Sequence, residues 1–283
     1  EDDECINCSQ DIDWKFIANV KKHIKDNIDN PALTVDVLCN LVGMSRTSFY
    51  NKLRALTDQA PGDYIRLIRL KRSVKLLKEG THSITEIAES TFIGCSSLTN
   101  IVIPNSVTII GAYAFSYCTS LTSVIIPRSV TAVRNNAFRG SLTNVSLPKG
   151  ITEIAESIFR GCSSLTNVVI PNNVITIGSY AFSNCTSLTD IVIPSSVTTI
   201  DNNTFEYCIS LANVVFSNSV ITIGNYGFSN CTSLLSITIP SNVQSIGNNA
   251  FSKCDSLIIY CEALSEPDGW NSYWNPANRP VYY

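Results

Sequence analysis

The strongest constraint on this chain is a letter that returns every 23 residues. Phe92, Phe115, Phe138, Phe159, Phe182, Phe205, Phe228 and Phe251 are separated by 23, 23, 21, 23, 23, 23 and 23 positions, and Leu98, Leu121, Leu142, Leu165, Leu188, Leu211, Leu234 and Leu257 keep the same intervals. A period of this length marks a solenoid, in which one unit cannot bury its hydrophobic face alone and must stack on its neighbours. In the unit from Leu98 to Ser120, Leu98, Ile101 and Ile103 fall on one face of a short strand. Pro104 stops that strand because it cannot donate to a ladder, and Val107 to Ile110 give a second extended piece. Ala114, Phe115 and Cys118 return the chain inward. Units stacked at strand spacing, about 4.8 Å, turn every repeated letter into a column.

Two units depart from the pattern. The third drops two residues and its cysteine at Arg139-Gly140-Ser141, and Ser217 replaces the usual proline, so local bulges are expected at both places. After Leu257 the pattern fades into a segment rich in aromatics, Trp270, Tyr273, Trp274, Tyr282 and Tyr283. Such a segment most simply covers the last exposed rung, as repeat arrays require. Carbohydrate stacking on Trp270 and Trp274 is the other reading.

On the outward side of the first strand one row is polar: Asn100, Ser123, Asn144, Asn167, Asp190, Asn213 and Ser236. The next row is mostly apolar: Val102, Ile125, Ser146, Val169, Val192, Val215 and Thr238. An exposed β-branched stripe beside an amide row suits a protein partner, and Asn100, Val102, Ile125, Asn167, Val169, Val192 and Val215 are the candidate contacts. Strand propensity and asparagine laddering explain the same rows without any partner.

Seven of the eleven cysteines, Cys95, Cys118, Cys162, Cys185, Cys208, Cys231 and Cys254, share one place in the repeat, which predicts reduced thiols buried as small apolar fillers. Cys5 and Cys8 form a lone Cys-x-x-Cys with no second pair at zinc-site spacing, so neither metal nor cofactor is expected.

Charge divides the chain. Residues 1–10 carry four acids and no base, residues 11–82 carry 13 Lys+Arg against 8 Asp+Glu, and residues 83–283 carry 7 against 11. The division predicts an acidic flexible terminus over 1–10, a basic helical domain over 11–82, the solenoid over 83–259 and an aromatic cap over 260–283, an α+β fold in two parts. No stretch approaches the roughly eighteen apolar residues of a membrane span, so a soluble protein with no membrane partner is expected. No signal peptide opens the chain, which points to the cytoplasm; the alternative is a cell-surface or secreted protein whose leader was removed.

The basic block reads as helices. Trp14, Ile17, Val20, Ile24 and Ile28 recur at helical steps over residues 13–29, with Pro31 as the stop. Thr34 caps a short helix, Gly43 breaks it, and Ser45 caps a second helix running to about Leu56. Helix, glycine turn, helix is the helix-turn-helix arrangement. Phe49, Leu53 and Leu56 face inward by spacing, leaving Arg46, Thr47, Tyr50, Asn51 and Arg54 outward. Arginine can reach guanine edges and asparagine can pair adenine, while Tyr50 or Lys52 can hold phosphate. Ser45, Arg46, Thr47, Tyr50, Asn51, Lys52 and Arg54 are therefore the candidate contacts to double-stranded DNA. Pro61 then opens a helix with six bases between Asp63 and Lys78.

The pattern Leu-x-x-Ile-x-Ile-Pro…Ile-Gly…Ala-Phe…Cys over residues 84–259 resembles leucine-rich repeats of the BspA-like type, and the resemblance implies protein interaction or surface adhesion. The run from Leu41-Val-Gly-Met-Ser-Arg-Thr-Ser-Phe-Tyr-Asn-Lys-Leu-Arg-Ala-Leu-Thr57, followed by Pro61 and Tyr64-Ile-Arg-Leu-Ile-Arg-Leu-Lys-Arg72, resembles the AraC family of DNA-binding domains over residues 12–88. That likeness implies a first helix-turn-helix over 35–56, with Ser45–Leu56 as recognition helix and 62–78 as linker helix. Asn51 stands where the family commonly has arginine, and the second helix-turn-helix is cut off after Ser83-Ile-Thr-Glu-Ile-Ala88. Ile84-Thr-Glu-Ile-Ala-Glu-Ser90 is repeated inside the array as Ile151-Thr-Glu-Ile-Ala-Glu-Ser157, and Phe92, Cys95 and Leu98 are already in phase, so residues 84–92 are assigned to an incomplete first repeat.

With His23 and His82 as the only histidines, and no phosphate loop, paired-carboxylate cleft or nucleophile-base arrangement, neither an enzyme nor a small-molecule substrate is expected. The main expectation is a DNA-binding transcriptional regulator with a repeat array for protein partners. The alternative is an interaction or adhesion protein in which the truncated helix-turn-helix only caps the solenoid.

Overall fold

The computed structural model describes residues 11–28, 30, 33–65, 67–69, 72, 91–96 and 98–283. Cys5, Cys8, Pro31, Arg66, His82 and the shared segment 84–90 lie outside the described residues, as does most of the linker helix beyond residue 69. The chain divides into two compact units, Glu1–Leu76 and Leu77–Tyr283.

In the first unit α1 spans Asp11–Asp26, α2 Val35–Leu41 and α3 Arg46–Thr57, and helical backbone resumes over residues 61–65 and 67–69. Thr34 caps α2 by accepting from the Val37 N–H at 3.3 Å, and Ser45 caps α3 by accepting from Ser48 N–H at 3.3 Å. Gly43, at φ +68°, makes the left-handed step between them that a side chain would strain. Ile17, Val20, Ile24, Leu38, Phe49, Leu53 and Leu56 form one core with Tyr64, Ile65 and Ile68. Trp14 does not join it, being 55% exposed. Successive residues of a helix turn by about 100°, which rotates Trp14 off the stripe of Ile17, Val20 and Ile24 and aligns Asp13 with it instead.

The second unit is a solenoid of parallel rungs. First strands pair along one face in short sheets, as in Ser123–Ile125 with Asn144–Ser146 and Asp190–Val192 with Asn213–Val215, and Ser146 bridges to Val169. A second parallel sheet runs through Glu153–Ile154, Thr176–Ile177, Thr199–Ile200, Thr222–Ile223 and Ser245–Ile246. Between the sheets the chain turns at proline, with Val197 N–H donating to Pro194 O at 3.0 Å. Ser217 keeps that turn without a bulge: Val220 N–H donates to Ser217 O at 3.3 Å, and the serine hydroxyl donates to Pro194 O at 3.1 Å.

Beyond the second strand, the phenylalanine turn uses its backbone donors alternately. The N–H groups of Tyr113, Phe115 and Tyr117 donate to Asn135, Ala137 and Arg139 of the next unit at 3.1, 2.8 and 2.7 Å, while those of Ala114, Ser116 and Cys118 stay within their own turn. This accounts for every donor of the segment in a region without regular sheet. It requires left-handed backbone two residues before and two after each phenylalanine, where Tyr113, Tyr117, Asn136, Tyr180, Asn184, Asn203, Tyr207, Tyr226 and Asn230 have φ between 55° and 61°. Left-handed backbone is costly for residues with a Cβ, so the inter-turn bonds must offset the strain.

Inside, the eight phenylalanine rings stack with centroids 5.0–6.2 Å apart. From Cys118 onward each repeat thiol donates to the phenylalanine carbonyl one unit back, Cys118 to Phe92 at 2.9 Å, Cys208 to Phe182 at 3.2 Å and Cys254 to Phe228 at 3.0 Å among them. The repeat cysteines form no disulfides and are buried, as their spacing predicts. In the short third unit Ser141 takes the cysteine's place and donates to Phe138 O of its own turn at 2.8 Å. The first-strand ladder continues through this unit, Ser123–Ile125 pairing with Asn144–Ser146, but the second-strand ladder breaks after it: Ala132–Val133 pairs back to Ile109–Ile110, and Glu153–Ile154 begins a separate sheet.

Trp274, 23 residues after Phe251, meets that ring edge-on at 6.0 Å and 81°, and Trp270 packs on Trp274 at 4.8 Å. The Trp270 indole N–H donates to Val243 O at 3.1 Å. Both indoles are buried against the last rungs, so neither offers an exposed ring face for a sugar to stack on.

Two measurements follow from this core. Phe205→Ala removes a fully buried ring and should lower the unfolding free energy in urea by about 3–5 kcal/mol, whereas Val192→Ala, on the exposed side, should change it by less than about 0.5 kcal/mol. Burial pushes the Cys208 thiol from 9.0 up to about 12, against a smaller opposing effect of backbone hydrogen bonding. Between those values the unfolded chain has lost the thiol proton and the folded chain keeps it, so stability falls as pH rises through the window, by about 1.4 kcal/mol per pH unit for each such thiol. Urea midpoints measured from pH 8 to 11 should decline, and decline less steeply in Cys208→Ala.

Candidate functional site

The outward face of the first-strand sheet carries the most continuous exposed feature of the array. Alternation along each strand sends Ile191 and Ile193 into the core and leaves Val192 between them 61% exposed. Parallel pairing then aligns equivalent residues: Ile125 with Ser146, Ser146 with Val169, and Val192 with Val215. Val102 and Ile125 at 78% and 82% exposure, with Val169 and Val215, are β-branched groups standing in water along one line. Register carries the same line past Thr238 to Tyr260 and Tyr282, whose rings stack at 5.5 Å. These two tyrosines extend the stripe beyond the residues that the repeat marks, because the final strands, Ile258–Cys261 and Val281–Tyr282, lie past the last leucine of the pattern.

The polar row beside it is exposed at Asn100, Ser123, Asn144, Asn167, Asp190, Asn213 and Ser236. Asp190 accepts from the Thr189 hydroxyl and from Asn213 Nδ2, both at 2.6 Å. These bonds, the Thr189 one foremost, hold its carboxyl below the usual range. Thr143 donates to Thr122 O at 2.7 Å along a neighbouring row, so threonines support the ladder from outside.

In the helical unit, α3 turns Thr47, Tyr50, Asn51 and Arg54 to solvent while Phe49, Leu53 and Leu56 are buried. Three of the predicted DNA contacts are engaged within the unit. The Arg46 guanidinium, though exposed, donates to both oxygens of Asp36 at 2.9 and 3.0 Å. Lys52 pairs with Asp13 at 3.3 Å and lies 4.9 Å from the centre of the Phe16 ring, which ties α3 to α1 instead of leaving the ammonium for phosphate. Ser45 spends its hydroxyl on the cap, donating to Ser48 Oγ at 2.9 Å.

Among the described residues no group of three or more His, Cys, Asp or Glu is placed to hold a metal ion, and no helix is long and apolar enough to cross a membrane. The two surfaces offer contact area and hydrogen bonds.

Comparison with known proteins finds leucine-rich-repeat proteins and one short match of another kind. A leucine rich cell surface protein from Faecalibacterium prausnitzii superimposes with a TM-score of 0.53 at 37% identity, over 60% of this chain and 46% of that one. A leucine rich repeat protein of T. pallidum gives 0.48 at 32% identity, over 52% of this chain and 70% of that one. Histidine kinase P4 of Formosa agariphila is 34% identical over 77 residues, 27% of this chain, which thus matches only 6% of that protein's length. The BspA type leucine rich repeat region matches in six copies within residues 85–212 and 139–258, more than half of the sequence. With its phenylalanine column, strand ladder and proline turns in the places that pattern prescribes, the chain belongs to the family of BspA-type leucine-rich-repeat proteins.

Proposed function

We propose that this chain is a non-enzymatic interaction protein of the cell surface, which binds a protein partner through the outward face of its first-strand sheet. The carrying observation is the apolar line Val102, Ile125, Val169, Val192 and Val215, continued in register by Tyr260 and Tyr282. Side chains of this kind lose water on docking at about 25 cal/mol per Å² and, being held by a sheet, have little conformational entropy left to lose. The amide and threonine rows flank the line with donors and acceptors, the polar rim that a specific protein contact needs. The surface location is supported by the F. prausnitzii relative, which is a cell surface protein.

A photo-cross-linking residue at Val192 should capture a protein partner on intact cells, and the same residue at Ile221, exposed on the second sheet, should not. Val192→Glu with Val215→Glu should then weaken that partner's binding by about 100-fold at unchanged Tm. Capture at Ile221 alone, or chain inaccessible to protease added outside intact cells, would remove this reading.

A second reading keeps α3 as a DNA-contacting helix of an AraC-type domain. The caps at Thr34 and Ser45, the Gly43 step and the exposed side chains of Thr47, Tyr50, Asn51 and Arg54 favour it. Fluorescence anisotropy on duplex DNA should then show affinity falling steeply with salt and by about tenfold in Arg54→Ala. No complex at about 50 mM salt would discard it.

A further inference from the structure

The phenylalanine turns carry charge at four positions; those of Glu156 and Lys253 carry one sign only, whereas two positions carry both signs. The first position follows the second strand and donates its N–H to the strand end of the unit before: Arg134 to Ile110 O at 2.8 Å, Gly178 to Ile154 O at 2.8 Å, Asp201 to Ile177 O at 3.2 Å. The second follows the phenylalanine and accepts from the unit before: Arg139 O from Tyr117 at 2.7 Å, Arg160 O from Gly140 at 2.9 Å, Glu206 O from Asn184 at 2.8 Å. These bonds place Arg134 and Asp201 in one column and Arg139 and Glu206 in another. Both columns have an arginine in the turn of Phe138 and an acid in the turn of Phe205, three turns on, or about 15 Å at strand spacing; the second column adds Arg160 in the turn of Phe159.

Other turns put glycine or alanine in the first column, at Ala155, Gly178, Gly224 and Gly247, and serine in the second, at Ser116, Ser183, Ser229 and Ser252. The charges are therefore not needed for the turn itself. No carboxylate satisfies the arginines within the array among the described residues: the Arg139 guanidinium lies 5.3 Å from the centre of the Tyr117 ring, and that of Arg160 lies 4.7 Å from that of Tyr180. Glu206 receives a neutral donor, Asn203 Nδ2, at 3.0 Å. Along the array the same polarity holds, with five Lys+Arg against two Asp+Glu in residues 128–160 and two against seven in residues 161–283.

We propose that this face joins two copies of the chain, antiparallel, about a two-fold axis passing between the turns of Phe159 and Phe182. Such an axis keeps each column opposite itself and reverses the order of turns. Arg134 then meets the partner's Asp201 and Arg139 meets the partner's Glu206, and both pairs occur twice. The same operation sets the exposed Tyr113 opposite the partner's Tyr226, and Tyr207 opposite the partner's Gly140, which has no side chain in the way. A parallel arrangement would bring the arginines of both copies together. A patch complementary to itself under a two-fold is what a closed dimer requires, and opposite charges across it set the orientation. The outward face of the first-strand sheet stays outside this contact, so the dimer does not depend on the protein-binding reading.

Sedimentation velocity of the full chain tests the pairing. The wild type should be a dimer at about 50 mM salt and dissociate at least about tenfold more readily at about 500 mM. Arg134→Glu with Arg139→Glu should be monomeric, as should Asp201→Arg with Glu206→Arg. An equimolar mixture of those two variants should form a one-to-one dimer, because each reversed charge again faces its opposite. Arg134→Gly with Arg139→Ser uses residues that other turns carry at these positions, and it should keep the wild-type Tm while weakening the dimer by about tenfold or more. A wild type that stays monomeric at about 100 μM in low salt overturns the proposal, as does a reversed variant that still dimerises or a mixture that does not assemble.

Discussion

Each inner phenylalanine ring of the array is covered because another lies above and below it. This nearest-neighbour burial is the interaction on which the rest of the second unit depends. A single unit has two strands of two to four residues, too short to survive alone, and a turn in left-handed backbone that no isolated peptide would hold. Stacking supplies the ring contacts, the inter-turn N–H bonds and the thiol-to-carbonyl bonds together, so the strained turn and the short strands are stabilised by one event. The end of the stack needs a different solution. Trp274 stands in the phenylalanine phase but turns its edge to Phe251, and Arg279, buried, donates to Cys254 O where a further unit would otherwise complete the rung.

Columns are the functional consequence of that architecture. A side chain placed once per unit is multiplied into a line whose spacing is set by the backbone, and lines at different positions face different directions. The β-branched line of the first strands, the threonine row beside it and the charged columns of the phenylalanine turns are therefore separate surfaces on one scaffold. Variation in a single unit, such as arginine for serine at position 139, changes one point of one line and leaves the core untouched.

Most of the array was legible in the sequence, because its period, its alternation and its proline stops each have a direct physical meaning. The inward positions, the strand ladder, the buried thiols and the aromatic cap all follow from them. What escaped did so for identifiable reasons. Trp274 keeps the interval of 23 but not the letter, so the final turn looked like a faded tail. Tyr260 and Tyr282 join the stripe through strands whose leucine signal has ended. No bulge formed at Ser217, where the serine hydroxyl supplies a bond, whereas the short third unit interrupts the second-strand ladder. In the helical unit the caps and the inward face of α3 were readable, but ion pairs are not: nothing in the spacing of Lys52 and Asp13, or of Arg46 and Asp36, announces that they meet.

The segment from Ile151 to Ser157 has an apolar pattern that suits a helix, yet inside the array Glu153–Ile154 is a strand and Ile151, Ile154, Ala155 and Ile158 are buried as rung residues. Its conformation is decided by the neighbours on either side rather than by its own letters. The same seven letters stand where the helical block gives way to the repeats. Letters that suit a helix yet stand as a rung inside the stack make this heptapeptide a reporter of its context: cut out of the array as a free peptide, it would have no ladder to hold its extended form.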